Sequence, residues 1–391
     1  QHTLANFTPT LFLSRIYIRS LPTDFHRWNL TGWSWDIMLQ HFKTLENFVD
    51  HRWAVPRFWS EQNQTTPSWR GREGPVATLS SGPSVDAVAP LFVESFLASG
   101  SPLAERGFNN PNPSRRVGAG YYEFNINNGV RHSIVEAFLG GWNSDTSTPP
   151  ANLFVKTDST VRRVLFDGQN MATGVEYFHL GSGVEESAFL QDSNSEVILA
   201  AGAIMTPQLL FNSGIFEGGS VADIPGVGKN LQDHPVVSVV FELSPGLAQE
   251  ASTIYTVAND MDSYFNSVQE LKDIQEQGLN MTIEEMQETF ANIGVLGTSG
   301  FSAGAFLRSP WARDDAPDLQ LTVFPRVIEP HLVKKIQKTR KDFPFSAPAM
   351  LITVALLDAD ARHQIYPGVG QSDEKSSSKS KTQKKLRERR A

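Results

Sequence analysis

The sequence predicts an α/β part beside an α+β part. Three observations carry that expectation. A buried strand passes through a side-chain-poor turn into a helix at residues 196–216. An antiparallel meander precedes it. The strands and helices that follow lack strict βαβ alternation, the mark of an α+β arrangement. At 391 residues, two or more domains are the expectation. An apolar fraction of 40% supplies an ordinary core.

The central passage reads "EVILAAGAIMTPQLLFNSGIF", Glu196 to Phe216. Val197, Ile198 and Leu199 do not alternate with polar residues, so they read as a strand buried on both faces. Ala200, Ala201, Gly202 and Ala203 have almost no side chain. Thr206 then offers a cap oxygen and Pro207 suits the first helical position. Gly214 can close the helix in the left-handed conformation. So bare a turn suggests that something lies against the backbone there.

Earlier elements follow from spacing. Trp35, Met38, Phe42, Leu45 and Val49 fall on one helical face of a segment capped by Ser34 and running to Phe48. Asp86 to Ser99 reads as a second amphipathic helix stopped by Gly100. Tyr122, Phe124 and Ile126 alternate before an "NNG" turn at Asn127 to Gly129. Ser133 to Leu139 reads as a short helix, and Gly140 to Pro150 as linker. Strands are expected at Leu153–Val155, Val161–Phe166 and Thr173–Phe178. After the central passage come the loop "IPGVGKNLQDHP", a strand at Val236–Leu243 and a polar helical stretch from about Asp260 to Asn292. Further strands are expected at Phe301–Leu307, Leu319–Phe324 and Leu351–Leu357.

Composition narrows the chemistry. There are no cysteines, which excludes disulfides, thiol catalysis and cysteine-ligated metals. No apolar run reaches the ~18–20 residues of a membrane span. Gln1 opens the chain without a signal-peptide pattern, and the true N-terminus is expected to lie upstream. The net charge of −8 divides into +5 from Gln371 onward and −13 before it. The serine- and lysine-rich tail, residues 371–391, is expected to be disordered. An acidic body argues against nucleic acid as the main partner. Four triplets, at Asn6, Asn29, Asn63 and Asn280, fit the N-glycosylation sequon and are expected to be chance occurrences.

Five motifs in order resemble the glucose–methanol–choline (GMC) family of flavin oxidoreductases, in its choline-dehydrogenase-like branch. The central passage resembles the family's second signature through Gly202, Ala203, Thr206, Pro207, Leu209, Leu210, Ser213, Gly214 and Ile215, with Phe216 where the family has glycine. "YIRSLPTDFHRW", Tyr17 to Trp28, resembles its Tyr-x-Arg-Gly segment, with Ser20 for glycine and Phe25 for tyrosine. "RGREGPV", "PGVGKNLQDHP" and "GFSAGAFLRS" are also similar to family segments. Together they cover roughly residues 14 to 360.

The resemblance implies an FAD cofactor, a small-molecule alcohol substrate and hydride transfer to the flavin. It implies cofactor contacts at Ala201, Gly202, Ala203 and Thr206, with the backbone of Val161 facing the adenine end. The implied layout is a flavin-covering and cap segment (1–150), the rest of an FAD-binding domain (151–235), and part of an antiparallel-sheet substrate domain (236–370), then the tail. No metal is implied.

The family's opening strand–Gly-x-Gly-x-x-Gly–helix is not found in these residues. "GAGYYE", "GVGKNL" and "GSGVEE" each lack its pattern. Nor is the family's catalytic-histidine segment found. The expectation is therefore a fragment with an incomplete FAD-binding domain, no catalytic residue of its own, and little activity alone. A non-catalytic family member is the alternative. His234, beside Asp233, reads as a structural histidine; His26, His41 and His51 are too dispersed for a metal site. "GFSAG", Gly300 to Gly304, fits Gly-x-Ser-x-Gly, but a hydrolase elbow needs a strand before Ser302 and a helix after it.

Overall fold

The computed structural model describes residues 16–49, 67–80, 88–127, 130–139, 152–192, 194–244, 247, 269, 273, 301–325, 349–359 and 362–366. Its helices are α1 (Pro22–Trp28), α2 (Trp35–Leu45), α3 (Val88–Ala98), α4 (Pro113–Arg116), α5 (Ile134–Leu139) and α6 (Gly202–Asn212). The strands of the first third are β1 (Glu46–Val49), β2 (Val76–Ser80), β3 (Gly118–Tyr121), β4 (Glu123–Phe124), β5 (Ile126–Asn127) and β6 (Val130–Arg131). The middle contributes β7 (Ser159–Phe166), β8 (Ala172–His179), β9 (Glu185–Phe189), β10 (Ile215–Phe216) and β11 (Ala222–Asp223). The last are β12 (Val236–Glu242), β13 (Ala303–Leu307), β14 (Leu319–Phe324) and β15 (Ala349–Leu356). The chain divides into two compact units, residues 1–151 with 234–359 and residues 152–233 with 360–391.

The first unit is built on a five-stranded antiparallel sheet ordered β12-β15-β14-β13-β3. One edge strand therefore comes from residues 118–121 and the others from residues 236–356. The apolar face of α3 explains its place: Val88, Ala89, Phe92 and Val93 are buried against Ala119, Tyr121, Ala303, Ala305 and Val323. Small residues on β3 and β13 let the helix settle close. A second core joins Ala104, Phe108, Tyr122, Phe124, Ile126 and Phe306. Here the alternation at Tyr122, Phe124 and Ile126 is realised, with all three buried. A Cβ on Gly304 would overlap the Tyr122 hydroxyl and the Leu321 carbonyl, so only glycine fits.

The second unit carries the meander β7-β8-β9 and the helix α6. Ser213 ties the two together. Its Oγ accepts the Val164 N–H at 2.9 Å and donates to the Leu209 carbonyl at 2.6 Å. Asn212 Nδ2 donates to the Arg162 carbonyl at 3.1 Å.

Most sequence-predicted elements form near their expected bounds, and β14 matches its predicted span. Four expectations are corrected. Val197–Leu199 forms no strand with any described residue, and Ile198 is 82% exposed, so it is not a strand buried on both faces. An apolar run becomes a strand only where a neighbour supplies backbone partners. Leu153–Val155 is likewise not a strand, and Phe154 stands exposed. The helix expected to reach Phe48 stops at Leu45, because Glu46 leaves it to pair in β1 against β2 and to receive buried donors. Finally, α6 begins at Gly202, four residues before the predicted Thr206–Pro207 start. The "NNG" turn beyond Asn127, the 140–150 linker, nearly all of the 260–292 stretch and the tail lie outside the described residues.

Candidate functional site

The bare turn opens α6. Ala201 is the N-cap, with φ −85° and ψ 6°, and Gly202 follows at φ +87°. That left-handed value is one that glycine adopts at little cost. A Cβ built on Gly202 would meet nothing within 4 Å, so the turn faces open space rather than packed protein. Ala201, Gly202 and Ala203 are all exposed. The side chain that manages the turn is Thr206. It sits inside the helix, and its Oγ1 accepts the Ala201 N–H at 3.1 Å. The N–H groups that follow begin an 11-residue helix and carry the positive end of its dipole.

Four of the five sequence-predicted cofactor residues therefore share one turn: Ala201, Gly202, Ala203 and Thr206. The fifth, Val161, lies on β7, the strand to which α6 is tied through Ser213 and Asn212. Val161 pairs with Tyr177 across the ladder, and the register shifts between Val161 and Arg163. Gly214 closes α6 at φ +80°, and its carbonyl accepts the Val221 N–H at 2.9 Å.

The first unit holds a feature that sequence reading missed. Arg19, Arg70, Glu46 and Glu123 meet in one buried ion cluster. Arg70 Nη2 lies 2.9 Å from Glu46 Oε1 and 2.6 Å from Glu123 Oε2. Arg19 Nη2 takes the other Glu46 oxygen at 2.6 Å. The Gly71 N–H and the Thr78 hydroxyl complete Glu46, each at 2.9 Å. Asn109 Nδ2 donates to Glu123 Oε2 at 2.7 Å. Burial, opposed by the two guanidiniums, pushes the Glu46 carboxyl above its ordinary range. Arg19 and Arg70 belong to the motifs "YIRS" and "WRGREG"; Glu46 ends an amphipathic helix, where a charge reads as solvated.

A cavity of about 410 Å³ opens beside this cluster, lined by Arg19, Asp24, Arg27, Arg116, His234 and Gln320 among others. Its charges are largely matched: Arg27 pairs with Asp314 and Asp358, and Arg313 with Asp358. His234 reaches the cavity wall while itself exposed. His363 is exposed and bridges to Leu231 through backbone groups. Among the described residues no cluster of His, Asp and Glu could hold a metal ion, and no helix is long and apolar enough to cross a membrane. Ser302 is 1% exposed and is followed by strand β13 rather than a helix, so the Gly-x-Ser-x-Gly match does not build a nucleophile elbow.

Comparison with known proteins decides the family. The sequence model of the GMC oxidoreductase family matches residues 13–236, more than half of the chain. The chain belongs to the GMC oxidoreductase family. It is 32% identical over 230 residues to the mitochondrial choline dehydrogenase of Homo sapiens, covering 56% of this chain and 34% of that protein. It is 27% identical over 302 residues to an oxygen-dependent choline dehydrogenase of Escherichia coli, covering 75% of this chain and 46% of that one. Among solved structures, a pyridoxine 4-oxidase from "Mesorbium loti" superposes with TM-score 0.59 at 20% identity, covering 90% of this chain and 55% of that one. The formate oxidase of Aspergillus oryzae gives TM-score 0.60 at 18% identity, covering 88% and 56%. These two solved structures share the fold. The chain spans between about a third and a half of the length of the curated relatives it matches.

Proposed function

We propose that this GMC chain is part of an FAD-dependent oxidoreductase that oxidises the CH–OH group of a small alcohol. The observation that carries the reading is the turn at Gly202: left-handed, side-chain-free, open to solvent and opening a helix of useful length. A nucleotide cofactor needs such main-chain access, and a helix N-terminus favours its anionic part. The residues present fit the cofactor. The Gly202 and Ala203 N–H groups would meet it directly, Thr206 would hold Ala201 in place, and the Val161 main chain would face the adenine end. FAD, when bound, supplies the two-electron acceptor for the hydride. Family membership and relatives named for choline and pyridoxine support a small alcohol as substrate.

No group of this chain is assigned to the alcohol proton, so the 391-residue chain is expected to turn over poorly by itself. A second reading, a family member without catalysis of its own, is favoured by one observation. The segment leading into the turn, Val197–Leu199, has no strand partner among the described residues.

The test is purification of the chain and titration with FAD, followed by quenching of flavin fluorescence. Saturable binding that Gly202→Val abolishes supports the site. Absence of binding in the parent chain, or equal binding by Gly202→Val, overturns autonomous FAD binding at this turn.

A further inference from the structure

Helix α1 ends at Trp28, and its C-cap is Asn29, held at φ 50° and ψ 42° with its N–H on the Phe25 carbonyl at 3.2 Å. Asn29, Leu30 and Thr31 form an Asn-x-Thr triplet, and all three are exposed. The other three such triplets lie outside the described residues. Among the described residues, neither the Asn29 carboxamide nor the Thr31 hydroxyl is engaged by a neighbouring group. Gly32 follows at φ +83° with open space around it, so nothing bulky crowds the triplet.

A helix cap explains Asn29 only in part. Glycine would close the helix as well, and capping needs no threonine two residues on. A second feature points the same way. Trp28 and Trp33 flank the triplet, 49% and 45% exposed, with ring centroids 5.8 Å apart in an edge-to-face pair. Leu30 between them is 58% exposed. Paired half-exposed indoles, with Leu30 between them, form an apolar patch of the kind that marks a covered surface. A sugar chain attached at Asn29 would lay its C–H faces on those rings.

We infer that Asn29 is an acceptor for N-linked oligosaccharide and that the glycan lies over the Trp28–Trp33 pair. In the transfer, Asn29 Nδ2 bonds to the anomeric carbon of a lipid-pyrophosphate-linked oligosaccharide. The anomeric C–O bond breaks, the amide gives up one proton to a base of the transferase, and the lipid pyrophosphate leaves. No oxidation occurs. The attached chain is bulky and solubilising, as the patch requires.

The experiment places the full chain behind an endoplasmic-reticulum leader and translates it with microsomes. Asn6, Asn63 and Asn280 are changed to Gln so that Asn29 alone is read. Among protease-protected chains, one endoglycosidase-sensitive mobility step is expected, and Thr31→Ala should remove it. Protected chains without that step overturn the proposal. The secreted glycoprotein is then tested for acrylamide quenching of tryptophan before and after glycosidase. Quenching should rise on glycan removal, and the rise should vanish in the Trp28→Phe/Trp33→Phe variant. An unchanged signal in the parent overturns the covering role.

Discussion

Arg19 and Glu46 form an ion pair at 2.6 Å with side chains 1% and 0% exposed, joining two segments far apart in sequence. A charge so deeply placed is tolerable only while its partner stays. The cluster around it turns the family's arginine motifs into a lock between the start of the chain, α2 and the 67–80 segment.

Removing that partner leaves two guanidiniums buried without full compensation. Glu46→Gln is expected to destabilise the first unit by about 3–5 kcal/mol. Urea denaturation followed by tryptophan fluorescence reads this directly. A change within about 0.5 kcal/mol would show that the cluster is not a source of stability.

Alkaline pH should loosen the second core of the first unit. The Tyr122 hydroxyl donates to the Leu321 carbonyl at 2.9 Å and receives Gln320 Nε2 at 3.2 Å. Burial pushes its phenol from 10.0 up to about 12. Because the folded value is raised, the contribution is complete below the unfolded value. It declines as pH climbs from there through the folded one. The parent should lose stability over that interval more steeply than Tyr122→Phe; parallel pH profiles would contradict the assignment.

Gly304→Ala tests the tightest point of the sheet. Its new methyl would meet the Tyr122 hydroxyl and the Leu321 carbonyl, and neither can retreat without breaking a hydrogen bond. A loss of about 1–3 kcal/mol in thermal or chemical unfolding is expected.

Ser213→Ala probes the second unit. The Val164 N–H would be left buried without its acceptor, at a cost of about 1–3 kcal/mol. Hydrogen exchange at Val164 should accelerate in the variant. Protection equal to the parent's would mean another acceptor replaces the hydroxyl.

Much of this architecture was legible in residue order. Period-two alternation at Tyr122, Phe124 and Ile126 and the bare turn at 200–203 each named a local structure that forms. What failed had a common cause. Val197–Leu199 and Leu153–Val155 have strand composition, yet strand identity also depends on a partner that composition does not reveal. Thr206 was readable as a cap because of its oxygen, and it does serve the turn, but from inside the helix, by reaching back to Ala201. Glu46 was invisible as a buried charge: its partners, Arg19 and Arg70, lie some 25 residues away on either side. Of the candidate site, residue order located the turn and not the manner in which Thr206 shapes it.

The position of β3 in the five-stranded sheet has a consequence for synthesis. Gly120 pairs with Gly304, so apart from the bridge between Ala119 and Leu103 the edge formed by residues 118–121 has no strand companion until the chain beyond residue 303 exists. At ~5–20 residues per second, a ribosome needs roughly ten to thirty-five seconds to traverse that gap. Throughout that interval the apolar side of α3 and the β3 part of its landing surface have been made, but Ala303, Ala305 and Val323 have not. Chaperone demand should accordingly peak on nascent chains halted between these two glycines and fall once β13 has cleared the exit tunnel.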